Sequence, residues 1–311
     1  MPLTVRPAAL GDAPAICELL NAVDLAEIGR AETDLHRVEG ELKHPEADLV
    51  RNSWLVSEGG RLVAYGRLWD DSGAERIDID HYALPGRHAA ALHLLELMEA
   101  RAAEKAGENG ADRAVVHLNL HIQPTTDTAM LTGRGWRTVR RYHVMTRSLS
   151  PQADPVPEPP AGVTLRDCRE EADRRRAHEL LEETFADHFG HLPRSYQQWL
   201  DDLDGAGLDW SLVWIASLAG SGDVAVLLSR DDQEARGWVR NIGVRKEARG
   251  KGLGGYLLRH AFGTFAARGR DAIGLGVDTR NSTGALRLYE AHGMSRLYAI
   301  DAWEVTLPAT G

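Results

Sequence analysis

Residues 239–256 read Val239-Arg-Asn-Ile-Gly-Val244-Arg-Lys-Glu-Ala-Arg249-Gly250-Lys251-Gly252-Leu253-Gly254-Gly255-Tyr256. The stretch opens as a strand, crosses a polar segment with four glycines, and continues as a helix. Leu253, Tyr256, Leu257, Ala261 and Phe265 set that helical spacing. Small residues between a strand and a helix leave successive backbone N–H groups uncovered, and the helix start adds about half a positive charge. Arg249 and Lys251 supply formal charge beside it. Together these groups make a cradle for a phosphate or pyrophosphate. The competing explanation is that the glycines serve only a tight turn.

Two familiar phosphate motifs do not fit. A P-loop fails because Gly252 follows Lys251, and Arg245 stands where its first glycine belongs. Gly250, Gly252 and Gly255 do match G-x-G-x-x-G, but a dinucleotide fingerprint follows its strand directly and opens the first βαβ unit of a domain. Here the polar run Arg245 to Arg249 intervenes, and the turn comes after three strands of its half.

Outward from this turn, the chain reads as a duplication. At 311 residues it is long enough for two domains of about 150 residues each. Residues 151–160 hold 5 of the 13 prolines and predict a semi-rigid linker. Leu3–Arg6 and Val163–Arg166 open the two flanks as alternating strands, and each is followed by a helical stretch with Glu-Leu-Leu, at Glu18 and Glu179. Two strands, a long helix, a further strand, a helix ending in glycine plus a large apolar residue (Gly135-Trp136, Gly293-Met294) and a last strand complete each half. The expected domains are 1–150 and 163–311, joined by 151–162.

Composition narrows the functional classes. Hydrophobic residues at 43% and charged residues at 26% describe an ordinary globular chain. A formal net charge of −10 argues against non-specific nucleic-acid or anionic-membrane binding, which needs a positive surface. No apolar run is long enough for a membrane span, and the opening Met-Pro-Leu-Thr-Val-Arg lacks the apolar core of a secretory signal. Cys17 and Cys168 make no disulfide framework. A cytoplasmic protein is expected.

Arg249-x-x-Gly252-x-Gly254 resembles the Q/R-x-x-G-x-G/A signature of the GNAT acetyltransferases. A second segment, Asn281-Ser-Thr-Gly-Ala285-Leu-Arg-Leu-Tyr289-Glu-Ala-His-Gly293-Met294, is similar to the family's N…A-x-x-x-Y-x-x-x-G-F/M stretch, in the right order and spacing. The resemblance covers residues 161–311, and the duplication resembles tandem GNAT proteins such as the mycothiol synthases. It implies an α/β fold of two GNAT-like domains, each a mixed, mostly antiparallel sheet with splayed central strands flanked by helices. It further implies acetyl-CoA as acyl donor, no metal, and a small-molecule primary amine as acceptor. An antibiotic-type amine, a mycothiol precursor and a peptide N-terminus all remain open as acceptors, and a non-catalytic acyl-CoA sensor is the alternative function. The expected assembly is a monomer or a weak homodimer.

The resemblance also assigns residues. Ile242, Gly243 and Val244 would line the pantetheine, with Ile242 and Val244 bonding it as an added strand would. Arg249, Gly250, Lys251, Gly252, Leu253, Gly254 and Gly255 would surround the pyrophosphate. Gly274 and Gly276 leave space in the next strand where a ligand approaches, or mark bulges. Asn281 would bond the carrier or cap the following helix. Tyr289 stands where the family places the acid that protonates the departing thiolate; a core tyrosine is the other reading. The mycothiol synthases carry a glutamate base where Trp238 stands here, so Asp278 and His188 are the substitute bases beside a water relay. His188 and His191 find no third ligand for a metal.

The first half lacks these features. Its turn reads His81-Tyr-Ala-Leu-Pro85-Gly86-Arg87-His88-Ala-Ala-Ala-Leu92, without G-x-G, and Leu131 replaces the tyrosine. A catalytically silent domain that buttresses the second is expected. Asp70, Asp71, Asp78 and Asp80 either steer a cationic acceptor or form a solvated run, and His117 and His121 share one strand face.

Overall fold

Alternating and helix-periodic segments follow the same order in both halves, and the computed structural model turns each order into a sheet covered on both faces. It describes residues 2–44, 47–204, 208–231, 236–281 and 283–311. Two compact units result. Unit 1 takes the chain up to Tyr142 together with Tyr298–Gly311, and unit 2 takes His143–Leu297.

Unit 1 begins with β1 (Leu3–Arg6), α1 (Ala13–Ile28), α2 (Leu35–Lys43) and the single turn α3 (Leu49–Asn52). It continues with β2 (Ser53–Glu58), β3 (Arg61–Trp69), β4 (Arg76–Ala83), α4 (His88–Glu108), β5 (Arg113–His121) and α5 (Thr128–Gly133), and the chain leaves it along β6 (Arg137–Ser148). Unit 2 holds β7 (Val163–Asp167), α6 (Glu171–Phe185), α7 (Tyr196–Asp204), β8 (Val213–Leu218), β9 (Gly222–Arg230), β10 (Arg236–Val244), α8 (Leu253–Ala267), β11 (Ala272–Asp278) and α9 (Ala285–Ala291), and β12 (Ser295–Pro308) follows.

Neighbouring strands pair antiparallel in each sheet except at its centre, where β4 runs parallel to β5 and β10 parallel to β11. One face of the unit 1 sheet buries Ile77, Ile79, Val116 and Leu118 against Leu94, Leu95 and Met98 of α4, while the other packs Leu55 and Tyr65 on α1 and α2. In unit 2, α8 covers one face through Leu257, Leu258 and Phe265, and α6 and α7 cover the other through Leu180, Trp199 and Leu203. A helix of ordinary length buries little by propensity alone, so these apolar faces are what hold the layers.

The units differ from the expected boundaries at 150 and 163. β12 pairs antiparallel with β5 from Ile300 to Pro308, so the last strand of the second half completes the sheet of unit 1. The end of β6 meets β11, with Leu149 N donating to Asp271 O at 2.8 Å and Thr146 Oγ1 to Ile273 O at 3.1 Å. The proline-rich segment expected as a linker lies inside unit 2. A β-carbon on Gly263 of α8 would stand 2.6 Å from the Val156 backbone, so the segment rests directly on that helix. Arg147 holds it by donating to Asp154 Oδ1 at 2.6 Å.

Candidate active site

The parallel pairing of β10 with β11 runs from Arg236–Ala272 to Val239–Leu275 and stops there. At the same place β10 carries a bulge, because Val239 opposes Ser229 and Asn241 opposes Leu228, leaving Arg240 as the extra residue. A bulge bends its strand and changes which side chains face which way. Before it, Gly237 faces Phe265 of α8; beyond it, Gly243 faces Thr184 of α6. Arg245 N donates to Val224 O, so the antiparallel register with β9 uses alternate residues and turns the N–H and C=O groups of Ile242 and Val244 toward the gap before β11. Those are the two residues expected to bond pantetheine.

Gly243 is small for a packing reason. A β-carbon there would meet Thr184 Oγ1 at 2.1 Å, so the glycine admits α6. Gly274 likewise makes room for a protein side chain, since its β-carbon would meet the Trp238 ring at 2.9 Å; the space at Gly276 is open.

Past Val244 a 3₁₀ turn at Lys246–Ala248 leads into the glycines. Gly250 and Gly252 both take φ of +78°, the left-handed region that side chains disfavour. Gly252 caps α8 without any side-chain hydrogen bond, so the first amides of a fifteen-residue helix stay uncovered. Leu253 is buried beneath the turn. Gly254 is small because Leu288 Cδ2 would lie 3.2 Å from its β-carbon, and Gly255 because His292 Nε2 would lie 2.8 Å away. Arg245 and Lys246 are held by Glu183 and Asp187 at 2.7 and 2.8 Å. Arg249 donates to the Val244 carbonyl at 3.1 Å and is exposed, as is Lys251, which has no ion-pair partner among the described residues. The donors fit a diphosphate.

Tyr289 lies on α9, 5% exposed, in the same apolar cluster as Leu275 and Val277, with Ile242 and Val244 at the cluster's edge. Burial pushes its phenol above the usual range, so it is protonated at neutral pH. Asn281 does not cap α9, whose first cap is Gly284; its Oδ1 accepts from Thr283 N at 2.7 Å and Thr283 Oγ1 at 2.5 Å. His188 comes within electrostatic reach of Asp278, His191, Arg249 and Asp187. Burial holds His188 below its ordinary value, against a raising influence from Asp278. Asp278 also accepts from Arg280 N at 2.8 Å. Trp238 stands directly across from Gly274 in the parallel register, and its indole occupies that position. His191 lies 3.3 Å from Glu182, a neighbour no spacing in the sequence marks. Among the described residues no three His, Cys, Asp or Glu side chains gather as a metal site, and no helix is long and apolar enough to cross a membrane.

The family model for the acetyltransferase (GNAT) domain matches residues 209–294, which span β8 to α9. A mycothiol acetyltransferase of Stackebrandtia nassauensis is 32% identical over 92% of this chain and 93% of that protein. The chain belongs to the GNAT acetyltransferase family. A second mycothiol acetyltransferase, from Streptomyces bingchenggensis, is 31% identical over 79% of this chain and 78% of its own. Among solved structures, a GCN5-related N-acetyltransferase from Sphaerobacter thermophilus superposes with a TM-score of 0.83 at 26% identity, covering 99% of this chain and 97% of that one. A tandem GNAT protein from the clavulanic acid biosynthesis pathway shares the fold over the whole of both chains, with a TM-score of 0.73 at 17% identity. Both units of this acetyltransferase therefore sit in a known duplicated architecture.

Unit 1 has the same GNAT gap with other contents. β4 and β5 pair only from Arg76–Val115 to Ile79–Leu118, yet β4 has no bulge against β3. Four residues, Leu84 to Arg87, join β4 to α4, where eight, Arg245 to Gly252, join β10 to α8. Thr125 Oγ1 lies 2.9 Å from Ala83 O and 2.8 Å from Glu27 Oε1, so its one proton serves either acceptor; Glu27 also accepts from Thr125 N at 2.6 Å and lies 2.6 Å from His121 Nδ1. His81 is buried, its Nε2 2.9 Å from Ala91 O. The expected acidic run is not merely solvated: Lys105 pairs with Asp70, Arg76 with Asp78, and Trp69 donates to Asp80. His117 sits 3.0 Å from Glu304.

Proposed function

We propose that unit 2 transfers the acetyl group of acetyl-CoA to a primary amine of a small molecule. The observation that carries this is the unpaired edge of β10 at Ile242 and Val244 running into the uncapped glycine turn. It offers strand-like bonding for amides and a row of N–H donors for a diphosphate. Ile242 and Val244 would align the carrier, the Gly250–Gly255 amides with Arg249 and Lys251 would hold its phosphates, and Asn281 would contact it at the mouth of β11.

The chemistry needs a proton removed from the ammonium and one given to sulfur. His188, assisted by Asp278, would take the first. The freed amine forms the new C–N bond as the C–S bond breaks, and the nitrogen then gives up its second proton, which restores the phenol that protonates the sulfur. Tyr289, a phenol kept protonated by burial, would supply the proton to the leaving thiolate, whose conjugate acid is the stronger with a pKa of about 8.5. Unit 1, with its shorter turn, bridged gap and Leu131 in place of a tyrosine, would be silent in this reaction.

The curated relatives bear the name mycothiol acetyltransferase, which makes a mycothiol precursor the first acceptor to test, beside antibiotic-type amines and peptide N-termini. Trp238 in place of a strand glutamate favours a second reading, a non-catalytic acyl-CoA sensor. An acceptor panel read by release of free thiol from acetyl-CoA separates the two. Turnover with any amine supports transfer; saturable binding of acetyl-CoA with no turnover across the panel supports the sensor.

A further inference from the structure

The corresponding sheet faces of the two units differ in one respect that catalysis in unit 2 does not use. β9 and β3 are both nine residues long, and their fourth residues, Ala225 and Ala64, pair with the last residues of β10 and β4. At the fifth and seventh positions β9 places Val226 and Leu228, buried among Leu180, Trp199 and Leu203. β3 places Tyr65 and Arg67 there. Across from them on β4 stand Tyr82 and Asp80. An aliphatic core in one unit is a polar interior in the other.

Arg67 is 2% exposed; its Nη1 and Nη2 are buried without a well-formed hydrogen bond, beside the Tyr65 hydroxyl and within electrostatic reach of Asp80 and Glu41. Its guanidinium lies over the Trp69 ring, 3.2 Å from the centroid. Trp69 Nε1 is directed to Asp80 Oδ2 at 2.6 Å, so the carboxylate facing Arg67 is already tied to the indole. Tyr65 and Tyr82 stack at 6.4 Å beside this group. Arg37 and Glu41 of α2, bonded to each other at 2.9 Å, add a second charge pair within electrostatic reach of Asp80. A buried cation without its bonds is costly, and an aliphatic pair fills the same place in unit 2 without that cost.

Two parallel N–H donors on one planar group match a carboxylate. A simple anion placed there would face the acids Asp80 and Glu41, so a ligand suited to the whole cluster carries its own positive charge. We propose that unit 1 binds a small α-amino acid, its carboxylate on Nη1 and Nη2 of Arg67 and its ammonium toward Asp80 and Glu41. This site is independent of acetyl transfer in unit 2.

Thermal shift and calorimetric titration of the full chain, without acetyl-CoA, test it with L-alanine and with its two halves, propionate and ethylamine. The expected result is saturable binding of L-alanine at one site per chain, at least tenfold tighter than either half. Arg67→Met should abolish it in a folded protein, and Arg67→Lys, which keeps the charge but loses the fork, should weaken it tenfold or more. No response to L-alanine at tens of millimolar, equal binding of propionate, or undiminished binding by Arg67→Lys would each overturn the proposal.

Discussion

Thr125 Oγ1 reaches across the central gap of unit 1, 2.9 Å from the Ala83 carbonyl and 2.8 Å from Glu27 Oε1, with one proton to share between the two acceptors. At the matching end of β10 the Val244 carbonyl accepts instead from Arg249, a residue of its own turn. Acetyl-CoA is therefore expected to bind this chain at one molecule per chain, which equilibrium titration reads directly; two molecules of similar affinity would show that the Thr125 bridge opens. Thr125→Val should cost about 1–2 kcal/mol of stability by leaving Glu27 short of a donor, with the transfer rate unchanged.

Gly252 makes the turn in two ways that can be separated. Its left-handed backbone excludes ordinary side chains, and Gly252→Ala should cost roughly 1–2 kcal/mol through strain alone. No protein atom lies within 4 Å of where its β-carbon would be, so a longer side chain would project freely. Gly252→Asp adds a negative charge at the amides. It should remove the rise in Tm produced by acetyl-CoA, while Gly252→Ala keeps a smaller rise. An intact rise in Gly252→Asp would move the phosphate site elsewhere.

The contact of α6 with β10 sets the position of the bulged strand. Gly243→Ala places a β-carbon 2.1 Å from Thr184 Oγ1 and 2.9 Å from its Cβ. Overpacking of this kind costs about 1–3 kcal/mol. Thr184→Ala removes the nearest atom, so the double variant should recover part of the loss in denaturant melts. Simple additivity of the two changes would mean that the helix shifts freely.

How far the residues alone announce this architecture depends on the range of the interaction. The glycine turn is legible because left-handed φ and uncovered amides demand particular residues at adjacent positions. The order of strands and helices is legible because burial imposes periods of two and about 3.6 on each segment. The exchange of β6 and β12 is not, since their alternation would be the same beside either partner. The Arg240 bulge exists only relative to β9. Glu27 and Thr125 stand 98 positions apart, and no local pattern links them. Gly274 shows the converse: a glycine read as leaving space for a ligand, or as a bulge, makes room for Trp238, while the space at Gly276 is open.

Tyr289 can be tested without disturbing its packing. The ring is buried in the apolar cluster while the hydroxyl makes no hydrogen bond among the described residues, so Tyr289→Phe removes little stability. If the phenol protonates the thiolate, the single-turnover rate should fall by about tenfold to a hundredfold or more, within the span usual for a general acid. Acetyl-CoA affinity should change less than threefold. A rate equal to the native one would leave Tyr289 as packing only.

His188 gives the pH dependence its sign. Burial is the leading cause of its depression, so its folded pKa lies below the unperturbed value of about 6.5. The neutral, proton-accepting form is then dominant at pH 7 and is lost as the pH falls through that depressed value. If His188 is the base, kcat/KM should rise along an acid limb centred below pH 6.5 and level off by neutrality. Asp278 supplies an opposing, raising influence, so Asp278→Asn should move the limb to still lower pH while keeping its shape. His188→Gln should lower the plateau by tenfold or more and remove the limb. A limb that survives in His188→Gln with an unchanged midpoint would assign the proton to another group or to water.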